Sequence, residues 1–151
     1  MTDMTENIPR AETTLWVCRI NGLHGRILMM PSGGLSYQVR GNVSEQWHTA
    51  NGPQTNKISD SFEEARIHKP PGNRRIAAYC VGIGWVGGTY LKPTPDGRLH
   101  NVGLDSGSGG AYWSEKVNYV LEHAIAQAAG LDIVESIEEA PSAREPIMIR
   151  S

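Results

Sequence analysis

The stretch RRIAAYCVGIGWVGGTYLK, residues 74–92, decides how the rest of the chain is read. Its alternate positions are apolar on both sides. Ala77, Tyr79, Val81, Ile83 and Trp85 fall on one face, and Ile76, Ala78 and Cys80 with Gly82 and Gly84 on the other. A strand apolar on both faces is one covered on both faces, so the pattern predicts a central strand. Within it, Gly82-Ile83-Gly84-Trp85-Val86-Gly87 matches the G-x-G-x-x-G pattern of dinucleotide loops. That motif works by opening a helix whose first amides hold a pyrophosphate. Here β-forming residues and then Pro93 and Pro95 follow, leaving no room for a helix, and no cofactor is expected. The glycines instead mark a bulge, a bend, or a place where a neighbour, expected to be protein, comes close.

Working outward, PTPDGR (93–98) is a turn, with proline presetting φ and Asp96-Gly97 closing it, and LHNVGL (99–104) returns as the partner strand. Upstream, Asn21-Gly22 between two apolar runs predicts a type I′ hairpin, and Pro31-Ser32-Gly33-Gly34 turns the chain into a third strand. Residues 41–58 read as a long polar loop. A short helix is expected over 59–69, capped by Ser59 or Asp60 and stopped at Pro70-Pro71-Gly72. Val117, Val120, Leu121, Ala124, Ile125 and Ala128 recur at helical spacing, predicting a long helix over 114–129 that ends at Gly130. LDIVESI (131–137) is read as a last short strand. The expected fold is α+β: a mainly antiparallel sheet of about five or six strands, meander and hairpins, packed by one long C-terminal helix, plus one short helix. The expected organisation is a flexible segment over 1–13, a single domain over 14–137 and a polar tail over 138–151.

With 151 residues and 39% hydrophobic content the chain is of globular composition. No apolar run approaches the ~20 residues of a membrane span, and the polar N-terminus lacks a secretory pattern. A cytoplasmic protein is expected, with Cys18 and Cys80 reduced. No close Cys/His spacing suggests a metal. Net charge is −2, but residues 13–98 carry ten Lys/Arg against five Asp/Glu, and residues 99–151 three against eight. That division predicts an anionic partner, subunits meeting face to face as a homo-oligomer, or internal neutralisation. A pI near 6.2 speaks against a nucleic acid.

The functional expectation is a non-enzymatic binding protein of the inhibitor, immunity or phage-accessory type, capturing a protein partner or a small phosphorylated anion. The ligand-binding residues would be Arg66, Lys69, Arg74 and Arg75, with Trp85, together with Ser106, Ser108 and Gly109 in the loop DSGSGG (105–110). Small residues ahead of a helix could form an anion-holding nest there. Asp105-Ser106-Gly107 also resembles the Asp-Ser/Thr-Gly signature of aspartic proteases over a few residues. That chemistry needs two carboxylates sharing a proton, so a single copy would require a homodimer. The alternative function is a small hydrolase or transferase using His100, Asp105 and a loop serine, Ser106 or Ser108.

Overall fold

The computed structural model of the protein describes residues 12–72, 74–106 and 112–139. The first three strands form the expected meander: β1 (Thr13–Ile20), β2 (Leu23–Met29) and β3 (Leu35–Arg40). Asn21 and Gly22 take φ values of 48° and 82°, the left-handed pair that a type I′ turn requires. A short β4 (His48–Thr49) adds to β3, giving a four-stranded sheet in the order β1-β2-β3-β4. Pairing of β1 with β2 shifts between Thr14 and Trp16. This bulge turns two consecutive residues, Leu15 and Trp16, inward, where both are buried.

The main helix is not where the sequence placed it. α1 (Gly52–Ala65) spans 14 residues and starts inside the stretch read as loop. Asn51 is its N-cap: the Asn51 side chain accepts from the Gln54 N–H, and the Gln54 side chain accepts from the Asn51 N–H, both at 2.9 Å. Pro53 sits in the first turn, where a missing N–H leaves no bond unmade, so Gly-Pro is here a start signal. Ser59 and Asp60 are mid-helix. Ile58 and Phe62, one turn apart, bury the inner face against the meander. The Trp16 indole donates to Ser61 Oγ at 3.0 Å.

The stretch over 74–92 is two strands, not one. β5 (Arg75–Cys80) and β6 (Gly84–Pro93) form a hairpin around a turn in which the Ile83 N–H bonds the Cys80 carbonyl. Gly82 (φ 86°) and Gly84 (φ 110°) supply backbone angles that L side chains rarely adopt. The glycines noticed in the sequence thus make the turn. Burial on both faces holds for both strands: Ala77, Tyr79 and Trp85 enter one core, and Ile76, Ala78, Cys80, Ile83 and Val86 another.

The expected C-terminal helix over 114–129 is also replaced. Its place is taken by β8 (Tyr112–Val117), β9 (Val120–Glu122) and a six-residue α2 (His123–Ala128). β7 (His100–Asp105) pairs β6 as anticipated, and the second sheet runs β8-β7-β6-β5-β9, with β10 (Ile133–Val134) parallel to the start of β6. β8 pairs β7 and, after Asn118 and Tyr119, the same stretch of chain continues as β9 and pairs β5. One kinked segment therefore touches both sides of the sheet and rolls it up. Val117 and Val120 point into the roll and Leu121 into the other core, while Ala124 and Ile125 of the supposed stripe are exposed. The described residues form an α+β fold with mostly antiparallel sheets of four and six strands, β10 being the one parallel addition among them. Among the described residues no helix is long and apolar enough to cross a membrane, and no disulfide joins Cys18 to Cys80.

Two cores result. One lies between the meander, α1 and the outer face of the rolled sheet; the other fills the roll. β6 and β7 approach closely at Gly88, where an added Cβ would stand 2.4 Å from the Gly103 carbonyl oxygen and 3.1 Å from Leu104 Cα. Backbone cannot give way as a flexible side chain can. Gly88→Ala is expected to destabilise the protein by roughly 1–3 kcal/mol, read as a lower urea midpoint; an unchanged midpoint would mean that the two strands are not so close.

Candidate functional site

On the outer face of the rolled sheet, register sets Arg75 opposite Thr89, Thr89 opposite Gly103, and Gly103 opposite Ser114. Gly87 and Gly103 present no side chains, and two large ones use that room. The Arg75 guanidinium lies over Gly87 and the Tyr112 ring over Gly103, each within about 3 Å of where a Cβ would stand. Arg75 joins two carboxylates, Asp105 at 2.8 Å and Glu135 at 2.5 Å, and Glu135 in turn meets His123 Nε2 at 3.1 Å. Partial burial pushes the Glu135 carboxyl up, but hydrogen bonds from Arg75 and His123 and their charges hold it below its usual range. For Arg75, burial works against the charge, and the two carboxylates outweigh it, raising its pKa. Both groups are substantially exposed, so this network orients side chains more than it stabilises the fold.

Beside the network is a cleft of about 480 Å³, lined by Thr89, Leu91, Asp105, Ser106, Tyr112 and Glu135. Its apolar wall is unusually open: Leu91 is 44% and Tyr112 61% exposed. Trp113, next to Tyr112 on the opposite face of β8, is 52% exposed. β8 ends the strand order, and no strand among the described residues pairs with its other edge.

The residues singled out in the sequence are dispersed. Arg66 caps α1, bonding Glu63 at 2.8 Å and the Asn118 carbonyl at 3.1 Å, with its guanidinium over the Tyr119 ring. Arg74 pairs with Glu122 at 3.0 Å, and Lys69 is exposed. Positive and negative halves of the sequence thus meet within one chain at Arg74 and Arg75. Trp85 is 1% exposed and belongs to the core. Ser106 lines the cleft; Ser108 and Gly109 lie outside the described residues. The loop that carries them leads into strand β8, so the helix dipole expected to draw an anion there is missing. Leu91, Tyr112, Trp113 and Glu135 were not flagged by sequence. The signal for them in the sequence is the adjacency of two aromatics, Tyr112 and Trp113, just ahead of the segment read as a helix.

His100 and Asp105 stand on opposite faces of β7, five residues and roughly 16 Å apart along the strand. His100 shares its face with Val102 and Leu104 inside the roll, whereas Asp105 faces Arg75. His100 Nδ1 is hydrogen-bonded to the Tyr90 hydroxyl at 2.8 Å. Burial, then the charges of Arg66 and His68, lower its pKa. Among the described residues no three His, Cys, Asp or Glu side chains are grouped to hold a metal.

The sign of the His100 effect is definite. Its folded pKa lies below the ordinary 6.5, so the unfolded chain takes the proton more readily. Its contribution to stability is whole above that value and is lost as pH falls through the depressed one. Between about pH 7.5 and about pH 5, the wild type should lose more stability in urea than His100→Gln. Equal losses would mean that His100 titrates normally in the fold.

No family model matches the chain, and neither a curated protein nor a solved structure matches it.

Proposed function

We propose that the protein is a non-enzymatic binding protein that captures a protein partner along the open edge of β8 and in the adjoining cleft. The observation that carries this reading is the exposure of two neighbouring aromatics, Tyr112 and Trp113, on an edge strand whose other side no described strand pairs. Aromatic side chains of this kind supply much of the energy at protein interfaces. An unpaired edge offers backbone groups to an extended segment, giving strand addition with side-chain pockets for specificity. Tyr112 and Leu91 would supply the apolar contact, and Ser106 and Thr89 the hydrogen bonds. Asp105 and Glu135 share one arginine, which leaves this rim negative and favours a segment carrying a basic side chain. A homo-oligomer formed through β8 would be one instance of the same chemistry. The hydrolase alternative has less support, because His100 faces away from Asp105.

The test uses the full chain as bait, with Tyr112→Ala/Trp113→Ala as its control. A specific partner, or a second copy detected by sedimentation, should be retained by the wild type. The double variant should bind it at least about thirtyfold more weakly, at an unchanged melting temperature. Wild type and variant retaining the same partners equally well would refute the assignment.

A further inference from the structure

The arginines of this protein divide into two groups. Arg66, Arg74 and Arg75 each hold a carboxylate. Arg19, Arg26 and Arg40 form no ion pair among the described residues, and all three lie on one surface, the solvent face of the β1–β3 meander. Register places them there: Arg19 is directly opposite His24, and His24 is directly opposite Arg40, so three basic side chains cross the sheet in one row. Arg26 is two residues along β2 from His24 and opposite Gln38, on the same face. The Arg40 charge acts on Arg26, and like charges close together across strands destabilise a sheet. A carboxylate in the row would relieve this, and the row has none. The Glu45 carboxylate accepts from the Gly41 N–H at 2.9 Å and Asn42 Nδ2 at 3.2 Å, and Glu12 acts on Arg26 only through its charge.

The guanidiniums are also held in place. Trp47 lies against both, with Arg26 Cζ 4.1 Å and Arg40 Cζ 4.3 Å from its ring centroid. Arg26 Nε donates to Gln38 Oε1 at 2.8 Å and Arg40 Nη1 to the Glu45 carbonyl at 3.4 Å. Each guanidinium has five N–H donors, so most remain available after these bonds. Stacking on an aromatic fixes the plane of the fork before a ligand arrives, which lowers the entropy lost on binding.

We propose that this face, centred on Arg26 and Arg40 against Trp47, is a binding site for a small ligand carrying two or more phosphate groups. Arginine forks match phosphate oxygens in pairs. The row from Arg19 to Arg40 spans two strand spacings, about 10 Å, more than one phosphate covers. The net charge of −2 favours a short anion over a long polyanion. The site is remote in sequence from the β8 edge and does not depend on the reading given for it.

Titration calorimetry with sodium tripolyphosphate at low salt tests the assignment. The wild type should bind, and more weakly as sodium chloride is added. Arg26→Gln/Arg40→Gln should lose about tenfold or more in affinity, Arg26→Lys/Arg40→Lys less, and Arg74→Gln nothing. Because the Gln pair relieves like-charge contact, its melting temperature should not fall. Tyr112→Ala/Trp113→Ala should bind tripolyphosphate as the wild type does, which separates this site from the β8 edge. No binding by the wild type, or equal affinity in the Gln double variant, would overturn the proposal. Arginine-dependent binding of a short oligothymidylate without binding of tripolyphosphate would replace it with a nucleic-acid surface.

Discussion

The Trp85 indole N–H donates to the Leu15 carbonyl at 3.0 Å in the middle of the protein, and both surfaces of interest depend on that contact. A buried indole needs an acceptor, and the bulge in β1 supplies one, because Leu15 is the residue left out of the ladder with β2. The bond fixes the meander against the rolled sheet, assisted by a hydrogen bond between Thr13 Oγ1 and the Tyr79 hydroxyl. Phe62 of α1 and Tyr79 stand edge-on to the Trp85 ring, at 6.5 and 5.4 Å. With one face of the meander committed to this core, its basic row must face solvent. On its other flank Trp85 pairs with Ile133 of β10, and that register carries Glu135 to the Arg75 guanidinium above Gly87.

Charge follows the same geometry. The basic and acidic parts of the sequence neutralise one another where β5 meets its neighbours, through Arg74 with Glu122 and Arg75 with Asp105 and Glu135. The acidic residues were available because β9 and β10 return to the sheet beside β5 and β6. Among the described residues no acidic strand lies beside the outer face of the meander, and its arginines form no ion pair. A count along the chain could not separate the two groups. Only the strand register shows which arginines have acids within reach.

Features carried by a few consecutive residues were legible in the sequence. Asn21-Gly22 specifies its turn through two positive φ angles, and Asp96-Gly97 closes the turn before β7, with Gly97 at φ 75°. Misreadings arose where tertiary structure chose between local options. Gly82 hides a reversal inside an apolar run, because both arms of the hairpin are as hydrophobic as one long strand would be. Gly52-Pro53 looked like a break, yet after Asn51 and before Gln54 it opens a helix. Val117 to Glu122 fit a helical stripe as well as strands, closure of the sheet on β5 decided for strands there, and only His123–Ala128 is helical. Asn118, Tyr119 and Val120 are also weaker helix formers than the alanines that follow. Of the candidate residues, Asp105 and Ser106 line the cleft, and Arg75 pairs with Asp105 beside it. Tyr112 and Trp113 could not be identified in the sequence, since their exposure follows from β8 being an edge.

That edge is a consequence of how the sheet closes. A single segment can pair with β7 and with β5 only in succession, so it must bend between the two, which it does at Asn118 and Tyr119. Before the bend, β8 has left β5 behind, and no strand among the described residues pairs its second side. Proteins commonly protect such an edge with charge or proline, and here Glu115 and Lys116 stand next to the bend, where β5 is near. Farther along, at Tyr112 and Trp113, the protection is absent and the side chains are the largest on the strand. Large aromatics have no role in solubility at such a place, and the core does not use them. Their position is accounted for if the open part of the edge is where another chain pairs.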